Sequence, residues 1–190
     1  MTDQEIHLWQ AFREGDRSAF EALLRIYYQP LYEYGTKFLK DRDQLKDCLH
    51  DLLVNLWERR AFLNETQHLK LYLFKALRNQ IFKAKQKAGH PLAEIPENDE
   101  LVPEADDYAE NLIIQDETSR EKLFRVQHLI GQLTKRQREI LHLKFYENLS
   151  NEQVADILGI SRPAVANLLY QALKQFRESW QLLSVLWAIL

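Results

Sequence analysis

Residues 149–177 read LSNEQVADILGISRPAVANLLYQALKQFR, and this stretch decides the fold because it fits two short helices joined by a tight turn. Ser150 forms a capping box with the glutamine three residues later, and Ser161 can cap the second helix. Gly159 supplies the turn, and Ala155 is small where the helices cross. The stretch therefore predicts a helix-turn-helix. Its apolar residues recur at helical spacing and are expected between the helices: Ile157, Ile160, Val165, Leu168, Leu169, Ala172 and Phe176.

The second of these helices has an outer face that is suited to duplex DNA. Its side chains point away from the apolar set, and this is the face that a recognition helix presents to the major groove. An ordinary helical hairpin inside an all-α core is the alternative interpretation of the same pattern. The candidate duplex-DNA contacts are Arg162, Ala166, Asn167, Tyr170, Gln171 and Lys174.

The composition favours an all-α protein. Gly and Pro number only 5 each, and runs of alternating β-branched residues are missing, so the helical period dominates. The single cysteine, Cys48, excludes an intrachain disulfide, and we expect it to be a small core residue. We see neither a signal peptide nor an apolar run of about 20 residues, and we therefore expect a cytoplasmic protein.

The charges divide the chain into segments. Residues 1–88 carry 15 Lys and Arg against 12 Asp and Glu, whereas residues 89–119 carry ten acidic residues and neither Lys nor Arg. Residues 120–190 carry 10 basic and 6 acidic residues. We therefore predict two small, mildly basic helical domains, 1–88 and 120–178, that are joined by an acidic linker at 89–119 and followed by an apolar tail at 179–190.

Helix signals run through the N-terminal domain. Thr2 opens a capping box for a first helix that stops at Gly15. Ser18, with the glutamate three residues later, predicts the start of a second helix that runs to Lys40, with a kink or break at Pro30. Residues 41–43 are predicted to form the next turn.

The third predicted helix, Gln44–Arg60, has a polar outer face. Its leucines point inward, whereas the opposite face carries acidic and polar side chains, for which a simple solvated surface is one interpretation. The outward residues are Lys46, Asp47, His50, Asp51, Asn55 and Glu58.

A fourth predicted helix, Leu69 to about Lys87, interleaves basic and aromatic side chains, and the less regular stretch Ala61–His68 precedes it. Such a helix suits single-stranded nucleic acid, because cations follow the phosphates while rings and pockets receive unstacked bases. An amphipathic helix with lysines on its solvent-exposed face explains the pattern equally well.

The C-terminal domain carries two more helix signals before the helix-turn-helix. The first predicts a helix that begins near Arg120, runs through Phe124, Val126, Ile130 and Leu133, and ends at Thr134. Thr134 and Gln137 form a capping box that predicts a helix from Lys135 to Tyr146. Nine of the last eleven residues, WQLLSVLWAIL, are apolar, so something should cover the tail, and self-association is one way to do so.

Three motifs in order give the chain a family resemblance. QLKDCLHDLLVNLW at 44–57 is similar to a stretch such as DAEDLVQEVFLRLW, and YLFKALRNQIFK at 72–83 is similar to WLFRIARNLAID. Residues 133–161 are similar to the pattern LPxxQREVFxLRYxEGLSxEEIAEILGIS. In this order they resemble the extracytoplasmic-function sigma factors, the two-domain promoter-recognition subunits of bacterial RNA polymerase.

The resemblance implies a role for each predicted element. The third helix would dock on core RNA polymerase through its outward residues, and the recognition helix would read the upstream promoter element as duplex. The loop at 61–68 and the fourth helix would hold the melted downstream element with a base flipped out. The residues implied for single-stranded DNA are Asn64, Lys70, Lys75, Arg78, Asn79 and Lys83.

The resemblance also implies an anti-sigma factor or other regulator as a partner, and it implies no bond chemistry, which belongs to the polymerase core. We expect no metal or cofactor, because the six histidines show no paired ligand spacing and no Gly-rich phosphate loop occurs.

The sequence departs from the family pattern at one place: AVANLLYQA at 164–172 stands where the family often has a basic run such as TVKSRLHRA, and it lacks three cations. Fewer phosphate contacts predict weak duplex binding by the free protein.

A stand-alone helix-turn-helix regulator, dimerised through the apolar tail, is the alternative function. Such a regulator would bind a palindromic duplex tightly without polymerase. A sigma factor would copurify with core polymerase and confer promoter-specific transcription.

Overall fold

The computed structural model describes residues 3–63, 68–87 and 129–189, with side chains up to Glu178. This part of the chain is helical and contains no strand, which confirms the all-α prediction. The chain forms two compact units. The helices up to Lys87 belong to the first, and the described residues from Leu129 onward belong to the second apart from 156–159, which group with the first.

Up to Lys87, the described residues of the first unit form four α-helices and one short 3-10 turn. The turn, Arg60–Phe62, follows the third helix directly. The helices are α1 (Asp3–Arg13), α2 (Arg17–Thr36), α3 (Arg42–Glu58) and α4 (Leu69–Lys87).

Aspartates start the second and third helices. Asp16 Oδ1 accepts hydrogen bonds from the backbone N–H groups of Ser18 at 2.7 Å and Ala19 at 3.3 Å, so the predicted start of α2 at Ser18 is wrong by two residues. Asp41 caps α3 in the same way, and the predicted turn at 41–43 is therefore largely the first turn of this helix. Aspartate and serine are both good N-caps, and Asp16, which comes first in the chain, is the N-cap of α2.

Pro30 lies inside α2, which is one helix from Arg17 to Thr36 and ends before the predicted Lys40. Near its end, Gly35 is buried against Leu45 of α3, and a Cβ atom at Gly35 would overlap Leu45 Cδ1. The absence of a side chain at this position therefore allows α2 and α3 to approach closely.

Aromatic rings fill much of the first unit's core. The Phe12 ring lies 5.3 Å from Phe20 and 6.1 Å from Trp57, and the Tyr34 ring lies 5.1 Å from Phe74. Offset and tilted ring pairs of this kind add to the stabilisation that burial of their area provides. These rings hold α3 and α4 in place, and the two helices carry the unit's candidate binding residues.

Two polar groups are accommodated in this core. The Tyr27 hydroxyl donates a hydrogen bond of 2.7 Å to Glu5 Oε1. Burial is the main cause that raises the pKa of Tyr27, and the Glu5 carboxylate raises this pKa further. Cys48 is buried, and burial raises the pKa of its thiol. The prediction of a core cysteine is confirmed.

The described part of the second unit begins with a helical segment at 129–131 and a capping box. The Thr134 hydroxyl accepts from Gln137 N–H at 3.2 Å, and Gln137 Oε1 accepts from Thr134 N–H at 3.0 Å, as predicted. Three helices follow: α5 (Lys135–Leu141), α6 (Asn151–Leu158) and α7 (Arg162–Ile189).

The predicted helix from Lys135 to Tyr146 is α-helical only to Leu141, and it widens into a π-helical turn over His142–Tyr146. The N–H of Glu147 donates to the His142 carbonyl at 3.1 Å, five residues back. This wider turn also brings the buried His142 Nε2 to 3.4 Å from Glu147 Oε1. Asn148, with φ of 54°, then ends the turn and leads into α6.

Candidate nucleic-acid interface

The helix-turn-helix forms as predicted. The Ser150 hydroxyl accepts from Gln153 N–H at 3.2 Å, and Gln153 Oε1 accepts from Ser150 N–H at 2.8 Å, which completes the capping box. The Ser161 hydroxyl accepts from Ala164 N–H at 3.3 Å at the start of α7. Gly159 has φ of +67°, the left-handed conformation that a tight turn between helices requires.

The predicted apolar set lies largely inside. Ile157, Val165, Leu169 and Ala172 are buried, as is the small Ala155. The remaining members, Ile160, Leu168 and Phe176, are half-buried.

The opposite face of α7 is open to solvent. Every predicted duplex contact is exposed, and Tyr170 keeps 62% of its surface accessible. A polar and aromatic face of this kind can present hydrogen-bonding groups to base edges. The exposed set is Arg162, Ala166, Asn167, Tyr170, Gln171 and Lys174.

Both cations of this face lie close to carboxylates. Arg162 Nε lies 2.9 Å from Glu152 Oε1 of α6, and Lys174 Nζ lies 3.7 Å from Glu178 Oε1. The backbone N–H of Glu152 and the Ser150 hydroxyl, with a smaller contribution from Arg162, lower the pKa of the Glu152 carboxyl. No sequence pattern marks Glu152 as a site residue, because its partner lies across the turn at no characteristic spacing.

The outer face of α3 is also exposed, as predicted. Some of its groups have partners within the unit: Asp51 Oδ2 accepts from Gln80 Nε2 of α4 at 3.1 Å, and Lys46 Nζ lies 3.0 Å from Asp43. The hydrogen bond to Asp43 raises the pKa of Lys46. The exposed residues are Lys46, Asp47, His50, Asp51, Asn55 and Glu58.

The structure separates the side chains of α4 into core and surface groups. Asn79 and Lys83 are exposed, whereas the predicted contacts Lys70, Lys75 and Arg78 are half-buried; Asn64 lies outside the described residues. The Arg78 guanidinium lies 4.5 Å from the centre of the Phe82 ring, a cation–π contact. Phe74 is fully buried, so the prediction that the rings of this helix receive bases is wrong for Phe74.

The sequence analysis also missed Phe62, which the 3-10 turn leaves 86% exposed shortly before residue 64. The turn is held by Arg60, whose Nη1 donates to the Trp57 carbonyl at 2.8 Å and whose guanidinium lies 4.4 Å from the Trp57 ring centre. An apolar residue after a leucine-rich helix is more commonly part of the core, so no local signal marked it as exposed.

The residues with described positions contain no group of three or more His, Cys, Asp or Glu that could hold a metal ion. Within the same residues, no helix is both long enough and apolar enough to cross a membrane.

Comparison with known families and proteins places these features in context. Residues 123–176 match the family described as Sigma-70, region 4, a span that contains the helix-turn-helix. RNA polymerase sigma factor YlaC of Bacillus subtilis strain 168 is 23% identical over 167 residues, covering 86% of this chain and 92% of that protein. An RNA polymerase sigma-E factor of Streptomyces coelicolor is 22% identical over 86% of this chain and 87% of its own length.

Two solved structures share the fold. CnrH in complex with the cytosolic domain of CnrY matches with a TM-score of 0.59 at 19% identity, covering 96% of this chain and 99% of that chain. The sigma factor RpoE in complex with the anti-sigma factor NepR from Bartonella quintana matches with a TM-score of 0.57 at 21% identity, covering 85% and 96%.

Proposed function

We propose that this chain is an RNA polymerase sigma factor of the extracytoplasmic-function family, which binds bacterial core RNA polymerase and directs promoter-specific transcription initiation. One observation carries the proposal: the region 4 match falls on a helix-turn-helix whose recognition helix has an exposed polar face. The alternative of a stand-alone regulator is not favoured, because the relatives match 86% of the chain and not only the helix-turn-helix.

In this proposal the outer face of α3 is the main docking surface for core polymerase. Exposure of all six predicted residues supports this assignment, because a docking residue must be accessible in the free protein. Asp47 and His50 are the most direct candidates, whereas Asp51 also has a partner in α4.

We assign the melted downstream promoter element to α4 and the segment before it. Lys83 and Asn79 are exposed where a phosphate backbone could follow the helix, and Arg78 lies on an aromatic ring. Phe62 adds an exposed aromatic surface on which an unpaired base could stack.

We assign the duplex upstream element to α7. Asn167 and Gln171 can each form two hydrogen bonds with an adenine, and Arg162 and Lys174 supply the cations. With only two cations on this face, polymerase would have to supply much of the affinity.

The remaining assignments follow from the same function. Residues 1–88 would bind core and melt DNA, residues 120–178 would read duplex, and the acidic residues 89–119 would link them. An anti-sigma factor or other regulator would control the free protein, and the tail at 179–190 offers a surface for self-association. We expect a cytoplasmic protein without a cofactor or catalytic residue.

The test combines purified core polymerase, genomic DNA and this protein, and maps the 5′ ends of the transcripts. We expect a new set of start sites that share an upstream and a downstream element and disappear when the protein is omitted. Core polymerase that gains no start sites, together with tight binding of the protein alone to a palindromic duplex, would instead establish the stand-alone regulator.

A further inference from the structure

The contact between Glu152 and Arg162 connects the first turns of the two helices of the helix-turn-helix. Glu152 is the second residue of α6, and Arg162 is the first residue of α7. Their side chains meet at 2.9 Å through Arg162 Nε and Glu152 Oε1. Both remain largely accessible, at 68% for the Arg162 side chain and 58% for that of Glu152. The pair therefore lies at the surface, where DNA would approach.

The atom used in this contact determines what Arg162 can still bind. A guanidinium has five N–H donors in a planar fork, and Glu152 engages the one on Nε. The two terminal nitrogens, Nη1 and Nη2, lie at the other end of the fork. They are the donors that form the end-on pair of hydrogen bonds with O6 and N7 of a guanine.

The carboxylate also changes the electrostatics of the site. A phosphate next to Arg162 would lie close to the negative charge of Glu152, which opposes a backbone contact. A guanine edge carries only partial negative charges on O6 and N7 and is repelled much less. The other cation of the same face, Lys174, likewise has a carboxylate partner in Glu178. Both cations of the face are thus partly neutralised in the free protein.

We propose that Glu152 is a specificity-determining positioning residue that holds Arg162 for end-on recognition of a guanine in the upstream promoter element. This inference rests on the proposed duplex reading by α7. Exposed ion pairs contribute little to folding stability, so bracing of the two helices would be only a small effect of this contact. The capping box of Ser150 and Gln153 fixes the first turn of α6 and so fixes the backbone position from which Glu152 reaches Arg162.

The experiment uses holoenzyme and a duplex from a promoter that it transcribes, with each upstream base pair changed in turn at constant salt. For the unaltered protein we expect one position at which guanine is preferred by about tenfold. E152A should reduce that preference to below about threefold and strengthen binding to a scrambled duplex, because no side-chain acceptor then holds Arg162 Nε and the guanidinium is available to phosphates. E178A, which removes the carboxylate next to Lys174, should leave the guanine preference unchanged.

Arg162→Ala separates this inference from the proposed function. We expect it to abolish the guanine preference while upstream-element binding through the other residues persists. If R162A loses the preference and E152A retains it, Glu152 has no positioning role and the inference is wrong. If R162A changes nothing, Arg162 reads no base and the inference is again wrong. Unaltered holoenzyme without any upstream sequence preference would overturn the proposed duplex reading itself.

Thermal unfolding of E152A supplies the structural readout. The transition should match that of the unaltered protein, because the lost ion pair is exposed. A large loss of stability together with a uniform loss of binding to all sequences would mark Glu152 as a structural brace and overturn the inference.

Discussion

At the scale of single residues, the carboxylate of Asp16 supports α2 by accepting two backbone N–H groups that have no other acceptor within the helix. We expect Asp16→Ala to destabilise the first unit, whereas Asp16→Asn should retain most of the stability because an amide oxygen can also accept these hydrogen bonds. Chemical denaturation of both variants measures the difference. Equal stability of the alanine variant and the unaltered protein would contradict this role of the cap.

The same residue predicts a pH dependence. The Ser18 hydroxyl and the N–H groups of Ala19 and Ser18 hold the pKa of Asp16 below its ordinary value of 3.8. A carboxyl with a lower pKa in the folded state stabilises the fold above the unfolded value, and this contribution is lost as the pH falls through the folded value. The stability difference between the unaltered protein and Asp16→Ala should therefore be constant at neutral pH and shrink below about pH 4.

Asn167 and Gln171 should determine the base preference of the recognition helix. Each alanine variant is expected to cost about 1–3 kcal/mol at its own base pair if the amide makes two hydrogen bonds there. Holoenzyme binding to duplexes with single base-pair changes measures this effect, and Gln175→Ala, an exposed amide next to the predicted face, is the matched control. A uniform loss across all sequences would instead mark these residues as positioning contacts.

The helix caps show which side-chain contacts can be predicted from the sequence. Those of Ser150, Ser161 and Thr134 were predicted correctly because donor and acceptor lie within three residues of each other. The cap at Ser18 was wrong because an aspartate two residues earlier competes for the same N–H groups. The contact of Glu152 with Arg162 could not be read, because it depends on how the turn folds back.

At the scale of whole elements, the approach of α2 to α3 depends on Gly35. Gly35→Ala would place a methyl group against buried Leu45, and we expect a loss of about 1–3 kcal/mol in the free energy of unfolding. This loss should occur although alanine favours a helix over glycine by about 1 kcal/mol. Denaturant titration measures it.

Gly131→Ala is the matched control, because a Cβ atom there would meet no atom within 4 Å. A double variant with Leu45→Ala should lose less than the sum of the two single variants, since the smaller side chain makes room for the methyl group. Additive losses would show that the two residues do not compete for the same space.

Element boundaries were predictable where local signals did not conflict. The predicted bounds of α4, Leu69 to about Lys87, agree with the structure, because a regular apolar period runs through the whole helix. The π-helical turn at His142–Tyr146 was not predicted, since a shift from four-residue to five-residue hydrogen bonds leaves the apolar period almost unchanged. Its cause lies in tertiary structure, where His142 and Glu147 are buried together.

At the scale of the whole molecule, binding of core polymerase and binding of melted DNA should be separable. Asp47→Lys is expected to weaken core binding by about tenfold or more, because it reverses a charge in the proposed docking surface. Asp51→Lys should do the same but would also break the hydrogen bond with Gln80, so Asp47 is the cleaner site. Glu14→Lys, an exposed charge reversal in the turn directly after α1, is the control, and a binding titration with labelled core measures all three.

Lys83→Ala should weaken DNA binding and leave core binding intact, the reverse of the effect expected for Asp47→Lys. We expect weaker binding of holoenzyme to single-stranded downstream DNA, with a smaller salt dependence and normal core affinity, because one phosphate-directed cation is lost. Arg78→Ala should add to this loss. Normal open-complex formation by both variants would place the strand on another surface.

The fold class and the exposed faces were therefore readable from the chain, whereas the partners of those faces came from a family pattern. The linker prediction at 89–119 lies outside the described residues. The tail prediction is tested only in its backbone, which continues the recognition helix to Ile189.

That continuity has a mechanical consequence. The 28 residues of α7 form one helix about 42 Å long, and a helix of this length behaves as a rod that transmits tilt and rotation from one end to the other. A protein that binds the last turns near Ile189 would therefore set the orientation of the whole helix, and with it the angle at which Asn167 faces a base pair. Each residue advances the helix by about 100° of rotation, because 3.6 residues make one turn. Inserting one residue between Arg177 and Ile189 would consequently change the phase between the two ends without altering any residue on the recognition face.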